Sequence, residues 1–193
     1  MVGHRKAARV LGVFGSPRRG GNSATLLEEA LVAAEREGAV VERVFLADRT
    51  IGACRACEAC LEGGICVQED DMQEIVARLV EADIWIIGTP VYWWGPSAQL
   101  KAFLDRWYAP WHHEAARASF KTKRAALIVA MGDSDAATGR HVVGMFQDAL
   151  AYIGVALAAT VLGTGLGDPD DAARRPDLLA AARAAGRKVT SGL

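Results

Sequence analysis

Short apolar runs alternate with stretches in which hydrophobic residues recur every three or four positions, from one end of the chain to the other. Residues 8–14 are apolar apart from Arg9, partly β-branched and closed by Gly15, which predicts a buried strand. Asn22 or Ser23 offers a cap for the helix that follows, whose Leu27, Leu31 and Ala34 share one stripe. Residues 40–46 predict a second strand. Asp70 and Asp71 then open a helix in which Met72, Ile75, Val76, Leu79 and Val80 fall on one face, with both aspartates at the positive end of its dipole. Residues 84–87 predict a third strand, ended by Gly88-Thr89-Pro90. A helix marked by Leu100, Phe103, Leu104 and Trp107 comes next. A fourth strand at 125–130, a helix marked by Val142, Phe146, Leu150 and Ile153, and a fifth strand at 155–162 complete the alternation. Pro176 suits the first turn of a last helix running to about residue 188.

Strands that are largely apolar along their length, separated by amphipathic helices, predict a parallel five-stranded sheet covered on both faces, a three-layer α/β sandwich. In such a sheet the ligand site lies at the carboxyl ends of the strands, near the point where the strand order reverses. The loops to inspect are therefore 15–22, 47–69, 88–96, 131–139 and 163–170.

Composition narrows the function classes. A chain of 193 residues, 51% of them hydrophobic, predicts one domain spanning 1–193 with a full core. Lys plus Arg is 22 and Asp plus Glu is 23, so no global field holds the protein on nucleic acid or an anionic membrane. No stretch approaches the ~20 apolar residues that span a bilayer. The basic residues 1–6 precede a short apolar run without a small-residue cleavage pattern, so a core strand is expected in place of a signal peptide, in a cytoplasmic protein. In that reducing compartment the four cysteines crowded between Cys54 and Cys66 point to metal or redox chemistry ahead of structural disulfides.

Two loops carry the strongest chemical signals. Gly15-Ser16-Pro17-Arg18-Arg19-Gly20-Gly21-Asn22-Ser23 combines hydroxyls, guanidinium groups, glycines and a helix N-terminus, the parts of an anion site. It contains neither the Walker Gly-Lys-Ser/Thr nor the Gly-x-Gly-x-x-Gly of dinucleotide-binding domains. Thr89-Pro90-Val91-Tyr92-Trp93-Trp94-Gly95-Pro96 places three consecutive large aromatics beside Gly and Pro, flat apolar area suited to a planar ligand or to a subunit interface.

Taken together, these loops resemble those of the NAD(P)H-dependent FMN reductase family, over about residues 8–165. The resemblance implies a flavodoxin-like fold binding FMN. It implies that Ser16, Arg18, Asn22 and Ser23 hold the phosphate, whereas Arg19 has no counterpart in the motif. Pro90, Val91, Tyr92 and Trp93 would line the ring, and the shorter Gly132-Asp133 after the fourth strand would touch it. Trp94 stands where the family commonly has glycine, which would reshape the substrate side.

With FMN bound, NAD(P)H is the expected donor and a quinone, flavin or nitroaromatic the expected acceptor. Flavin chemistry needs no catalytic acid, base or nucleophile, and the sequence offers none that stands out. His112 and His113 read as part of a polar loop, and His4 and His141 are unremarkable. A non-enzymatic electron carrier is the alternative class, although a net charge of −1 gives little of the acidic docking face such carriers use.

Cys54-x2-Cys57-x2-Cys60-x5-Cys66 fits a structural zinc site poorly and matches a ferredoxin-type run in its first three cysteines. Followed by Asp70-Asp71-Met72, it resembles iron–sulfur flavoproteins of the same larger family, which implies a [4Fe–4S] cluster. Free or redox-active thiols shaping the flavin pocket are the alternative. Trp107, Tyr108 and Trp111 are expected to form an aromatic surface that a monomer would leave uncovered, and relatives assemble on this side, implying a homodimer or homotetramer.

Overall fold

The structure, a computed structural model, describes residues 7–191; the basic residues 1–6, His4 among them, lie outside the described residues. Strands β1 (Arg9–Phe14), β2 (Val40–Phe45), β3 (Ile84–Pro90), β4 (Arg124–Ala130) and β5 (Ala156–Gly163) form one parallel sheet in the order β2-β1-β3-β4-β5. Helices α1 (Asn22–Arg36) and α7 (Pro176–Thr190) cover one face. The other is covered by α2 (Met72–Glu81), α3 (Ala98–Asp105), α5 (Glu114–Phe120) and α6 (Arg140–Ile153), with a single turn, α4 (Tyr108–Trp111), between α3 and α5.

The two-residue period of each strand sorts its side chains between two cores. Leu11, Val13, Trp85, Ile87, Leu127 and Val129 pack with Ile75, Leu79, Phe103 and Phe146. Val10, Phe14, Ile84, Ile86, Ala126 and Ile128 pack with Leu27, Leu31, Leu178 and Val189. Each of the valine, leucine, isoleucine and phenylalanine side chains among them contributes about 1.5–3 kcal/mol on burial, so the doubly covered central strands dominate the stability. Trp85 is fully buried, with its indole N–H donating to Leu79 O at 2.9 Å.

Several local expectations are corrected. Strand β3 runs on through Gly88, Thr89 and Pro90, because β4 pairs with all three. Residues 110–114, expected as a loop, fall across the end of α4 and the start of α5, and His113 caps α5 by accepting the Ala116 N–H at 3.3 Å. Trp107 is no surface aromatic: it is 6% exposed, wedged against Trp85 and Phe103. Trp111 is half-buried against Tyr152, leaving Tyr108 as the exposed member of that trio. Neither Asn22 nor Ser23 caps α1; Gly21 occupies the cap without a side-chain hydrogen bond.

Candidate functional site

The strand order reverses between β1 and β3, and both singled-out loops leave the sheet there. They approach closely because of glycine. Gly15 N donates to Gly88 O at 2.8 Å, and a Cβ on Gly15 would sit 2.8 Å from that same carbonyl and 3.0 Å from Leu100 Cβ. Buried Ser97 completes the joint: its hydroxyl donates to Gly15 O and accepts the Leu100 N–H at 3.2 Å, capping α3. Thr89, also buried, accepts from Ser97 N at 3.3 Å.

Between the loops lies a cleft of about 200 Å³ lined by Ser16, Arg18, Gly21, Asn22, Ser23, Pro90, Val91, Tyr92, Ala130, Met131, Gly132, Leu166 and Gly167. Eight of the sequence-predicted residues therefore meet in one place. Trp93 and Asp133 line an adjoining hollow of about 310 Å³ with Trp94 and Thr138, sharing Val91, Met131 and Gly132 with the cleft. Met131, Leu166 and Gly167 were not singled out in the sequence, where only their loops were marked. Leu166 N donates to Met131 O at 2.9 Å, so these two loops form one wall.

The floor of the cleft is prepared for an anion. The N–H of Thr25 is the first in α1 to reach an i−4 carbonyl, Gly21 O, so those of Asn22, Ser23 and Ala24 precede the helical ladder. The first turn of α1 carries no carboxylate, whereas α2, α5 and α7 begin with Glu74, Glu114 and Asp177. The positive end of the dipole thus meets Ser16, Arg18 and Ser23 with no acidic side chain of its own. Ser16, 6% exposed, accepts the Arg18 N–H at 3.0 Å, fixing the turn and keeping its own proton to donate. Asn22 lines the cleft, and its side chain is also bonded to the β5–α7 loop. Its Nδ2 donates to Leu166 O at 3.2 Å and Asp168 O at 2.7 Å, and its Oδ1 accepts the Ala172 N–H at 2.8 Å. The side chain ties the β5–α7 loop to the cleft, leaving its backbone N–H for an anion. Arg19 pairs with Asp48 and stacks on Phe45, away from the cleft.

The aromatic loop is a two-residue turn. Tyr92 and Gly95 exchange N–H···O bonds of 2.8 and 3.0 Å, and both central residues, Trp93 (φ 47) and Trp94 (φ 60), are left-handed. Such turns ordinarily use Asn-Gly, since a side chain at positive φ costs about 1–2 kcal/mol. Trp93 is 92% exposed and recovers little of that by burial. Asp133 accepts from Thr138 Oγ1 at 2.6 Å and from Asp135 N at 2.9 Å, and these bonds hold its carboxyl below the usual range.

The cysteine segment follows β2. Cys54 and Cys57 are exposed, Cys66 is half-buried and Cys60 is buried. Burial pushes the Cys60 thiol up, and the other three thiols are near enough to add to the effect. Among the described residues no three His, Cys, Asp or Glu side chains gather closely enough to hold a metal ion. The donor set has the soft sulfur chemistry of an iron site, but the side chains as placed do not fit one. The ends of the segment are fixed. Asp71 accepts Thr50 N at 2.7 Å, and Asp70 accepts Gly52 N at 2.9 Å and Met72 N at 3.1 Å. Arg106 Nη1 donates to Asp70 at 2.6 Å and to Gly52 O at 2.9 Å, and Nη2 to Asp70 at 3.0 Å.

A sequence profile described as NADPH-dependent FMN reductase matches residues 8–165. The chain belongs to this family. One relative, named an iron–sulfur flavoprotein of Methanocaldococcus jannaschii, is 46% identical over 98 residues, 51% of this chain and 51% of that protein. The chain spans about half the length of such curated relatives. A Bacillus subtilis protein whose name describes an NAD(P)H-dependent FMN-containing oxidoreductase is 29% identical over 88% of this chain and 92% of its own length. Among solved structures, the Trp repressor binding protein from Bacillus subtilis superposes with a TM-score of 0.71 at 25% identity, covering 95% of this chain and 99% of that one. Family membership agrees with the expected flavodoxin-like fold. No helix among the described residues is long and apolar enough to cross a membrane.

Proposed function

We propose that the protein binds one FMN in the cleft between the β1 and β3 loops and works as an NAD(P)H-dependent oxidoreductase. The acceptor would be a small planar molecule such as a quinone, flavin or nitroaromatic. The observation that carries this reading is the convergence of the serine-arginine loop and the aromatic loop on one cleft over the carboxylate-free start of α1. Bound FMN supplies hydride acceptance from nicotinamide and electron delivery to the acceptor. The chain's own residues bind and orient. Ser16, Ser23, Arg18 and the first N–H groups of α1 take the phosphate, Arg18 through charge-assisted bonds. Asn22 keeps the β5–α7 wall closed, and Pro90, Val91, Tyr92 and Gly132 border the ring. Trp93, Trp94 and Asp133 border the adjoining hollow, where an acceptor has room beside the flavin.

Flavin titration tests the assignment. Arg18→Ala removes charged hydrogen bonds of about 1.5–3 kcal/mol in total, so FMN affinity falls roughly 10- to 100-fold, and further with Ser16→Ala. Unchanged affinity in the double variant contradicts the site.

The second reading adds a [4Fe–4S] cluster on Cys54, Cys57, Cys60 and Cys66, making the protein an electron-transfer flavoprotein. It is supported by the cysteine spacing and by the iron–sulfur flavoprotein relative. Iron and sulfide analysis after anaerobic purification separates the two readings.

A further inference from the structure

The hollow beside the cleft has two walls of matching character. Asp133 alone among its lining residues carries a charge. Among the described residues neither Asp133 nor its loop neighbour Asp135 makes an ion pair. Neutral donors hold the Asp133 carboxylate instead, Thr138 Oγ1 at 2.6 Å and Asp135 N at 2.9 Å, so its charge is fixed in place without being cancelled. Arg140, the cation that follows this loop, turns its guanidinium to Ala137 O at 2.9 Å. Facing this wall are Trp93 and Trp94, whose indole faces are the ring surfaces that attract cations most strongly. Their centroids are 6.1 Å apart and the planes tilted by 50°, so the rings do not close each other off by stacking, and Trp93 is almost fully exposed.

We propose that this hollow selects planar aromatic cations, N-alkylated heteroaromatics of the pyridinium or phenazinium class, with the ring against Trp93 and Trp94 and Asp133 as counter-ion. Indoles alone accept any flat ring, and a surface carboxylate alone accepts any cation. Together they favour a delocalised charge, which is weakly hydrated and can face both walls at once. A compact ammonium ion has no flat area to offer the indoles, and an anion is repelled by Asp133. The inference rests on the hollow being the acceptor's place, as proposed above, and it ranks charged planar acceptors ahead of neutral ones of the same shape.

Three probes of one shape test it: N-methylquinolinium, its uncharged carbon isostere methylnaphthalene, and the anion naphthoate. The full chain, labelled with ¹⁵N-tryptophan, is titrated with each while the indole N–H signals of Trp93 and Trp94 are followed by NMR. N-methylquinolinium is expected to move both signals and to bind roughly 5- to 10-fold tighter than methylnaphthalene, with naphthoate weakest. Added salt is expected to narrow the margin. Asp133→Asn keeps the shape and removes the charge, so the preference is expected to fall to about twofold or less. Equal affinity for the cation and its isostere, or a preference that survives Asp133→Asn, overturns the inference. Trp93→Ala removes an exposed ring with little packing to lose and guards against a misfolded Asp133 variant; it is expected to weaken the cation severalfold, and an unchanged affinity overturns the inference. Titrations with and without FMN keep the test decisive whether or not the flavin assignment holds. Competition between N-methylquinolinium and a quinone in NADPH-driven turnover separates the remaining failures. Charge preference without competition overturns the hollow as the acceptor's place and with it the ranking of acceptors. Competition without charge preference keeps that place and overturns the inference alone.

Discussion

Single residues in the aromatic turn and beneath the cysteine segment sit at odds with ordinary preference. Trp93 and Trp94 occupy left-handed backbone that asparagine and glycine adopt at little cost. Strain of this kind is kept where a site needs it. Trp93→Asn is therefore expected to stabilise the free protein by about 1 kcal/mol, or roughly 2–4 °C in Tm, because the exposed indole has little packing to lose. The same change is expected to raise KM for a planar aromatic acceptor, and an unaltered KM counts against the hollow as the acceptor's place. The hydrogen bonds of the Asn22 amide were not legible in the sequence. Its type and position suit a phosphate ligand, and only the fold brings residues 166–172 to its amide. Ser97, by contrast, left a readable signal, standing after Pro96 at the head of a helical stripe.

At the scale of elements, the strands and principal helices followed directly from periodicity. Apolar runs short enough for strands and stripes long enough for helices leave few alternatives once β-branched residues and glycines mark the ends. What periodicity missed is what tertiary contacts decide: the extension of β3 through Pro90, the two short helices after Arg106, and the burial of Trp107. The aspartates at the start of α2 were read as dipole partners; in the fold they staple residues 50–52 to 70–72 and close the cysteine segment. That staple gives a pH prediction. Burial alone would raise the Asp70 pKa, but the hydrogen bonds from Arg106, Gly52 N and Met72 N, with the Arg106 charge, together outweigh it and hold it below the ordinary 3.8. Its contribution to stability is then present above 3.8 and is lost as pH falls through the lower folded value. Urea unfolding of Asp70→Asn is expected to show a loss of about 3–5 kcal/mol at neutral pH, because Arg106 is left buried and alone. It is also expected to show a shallower decline than wild type on the acid side. Parallel acid limbs in the two proteins contradict the staple.

For the whole molecule, the parallel sheet turns two loops far apart in sequence into the facing walls of one cleft, and the reversal of strand order between β1 and β3 opens it. Tyr92, Trp93, Trp94, Tyr108 and Tyr152 remain exposed on a single chain. Large exposed aromatics mark association surfaces, so sedimentation is expected to give two or four times the chain mass, and a monomer with FMN bound contradicts this. Of the candidate site, the sequence disclosed the two principal loops, while the Met131–Leu166 wall and the Arg106–Asp70 anchor emerged only from packing. The central claim is that this chain by itself holds FMN and takes hydride from a nicotinamide. Anaerobic addition of NADPH or NADH to the FMN-loaded protein, followed by its visible absorbance, tests that most directly. Bleaching of the flavin band without any added reductase, reversed by a quinone, is the predicted result. A flavin band that neither nucleotide bleaches until a separate reductase is supplied would contradict it.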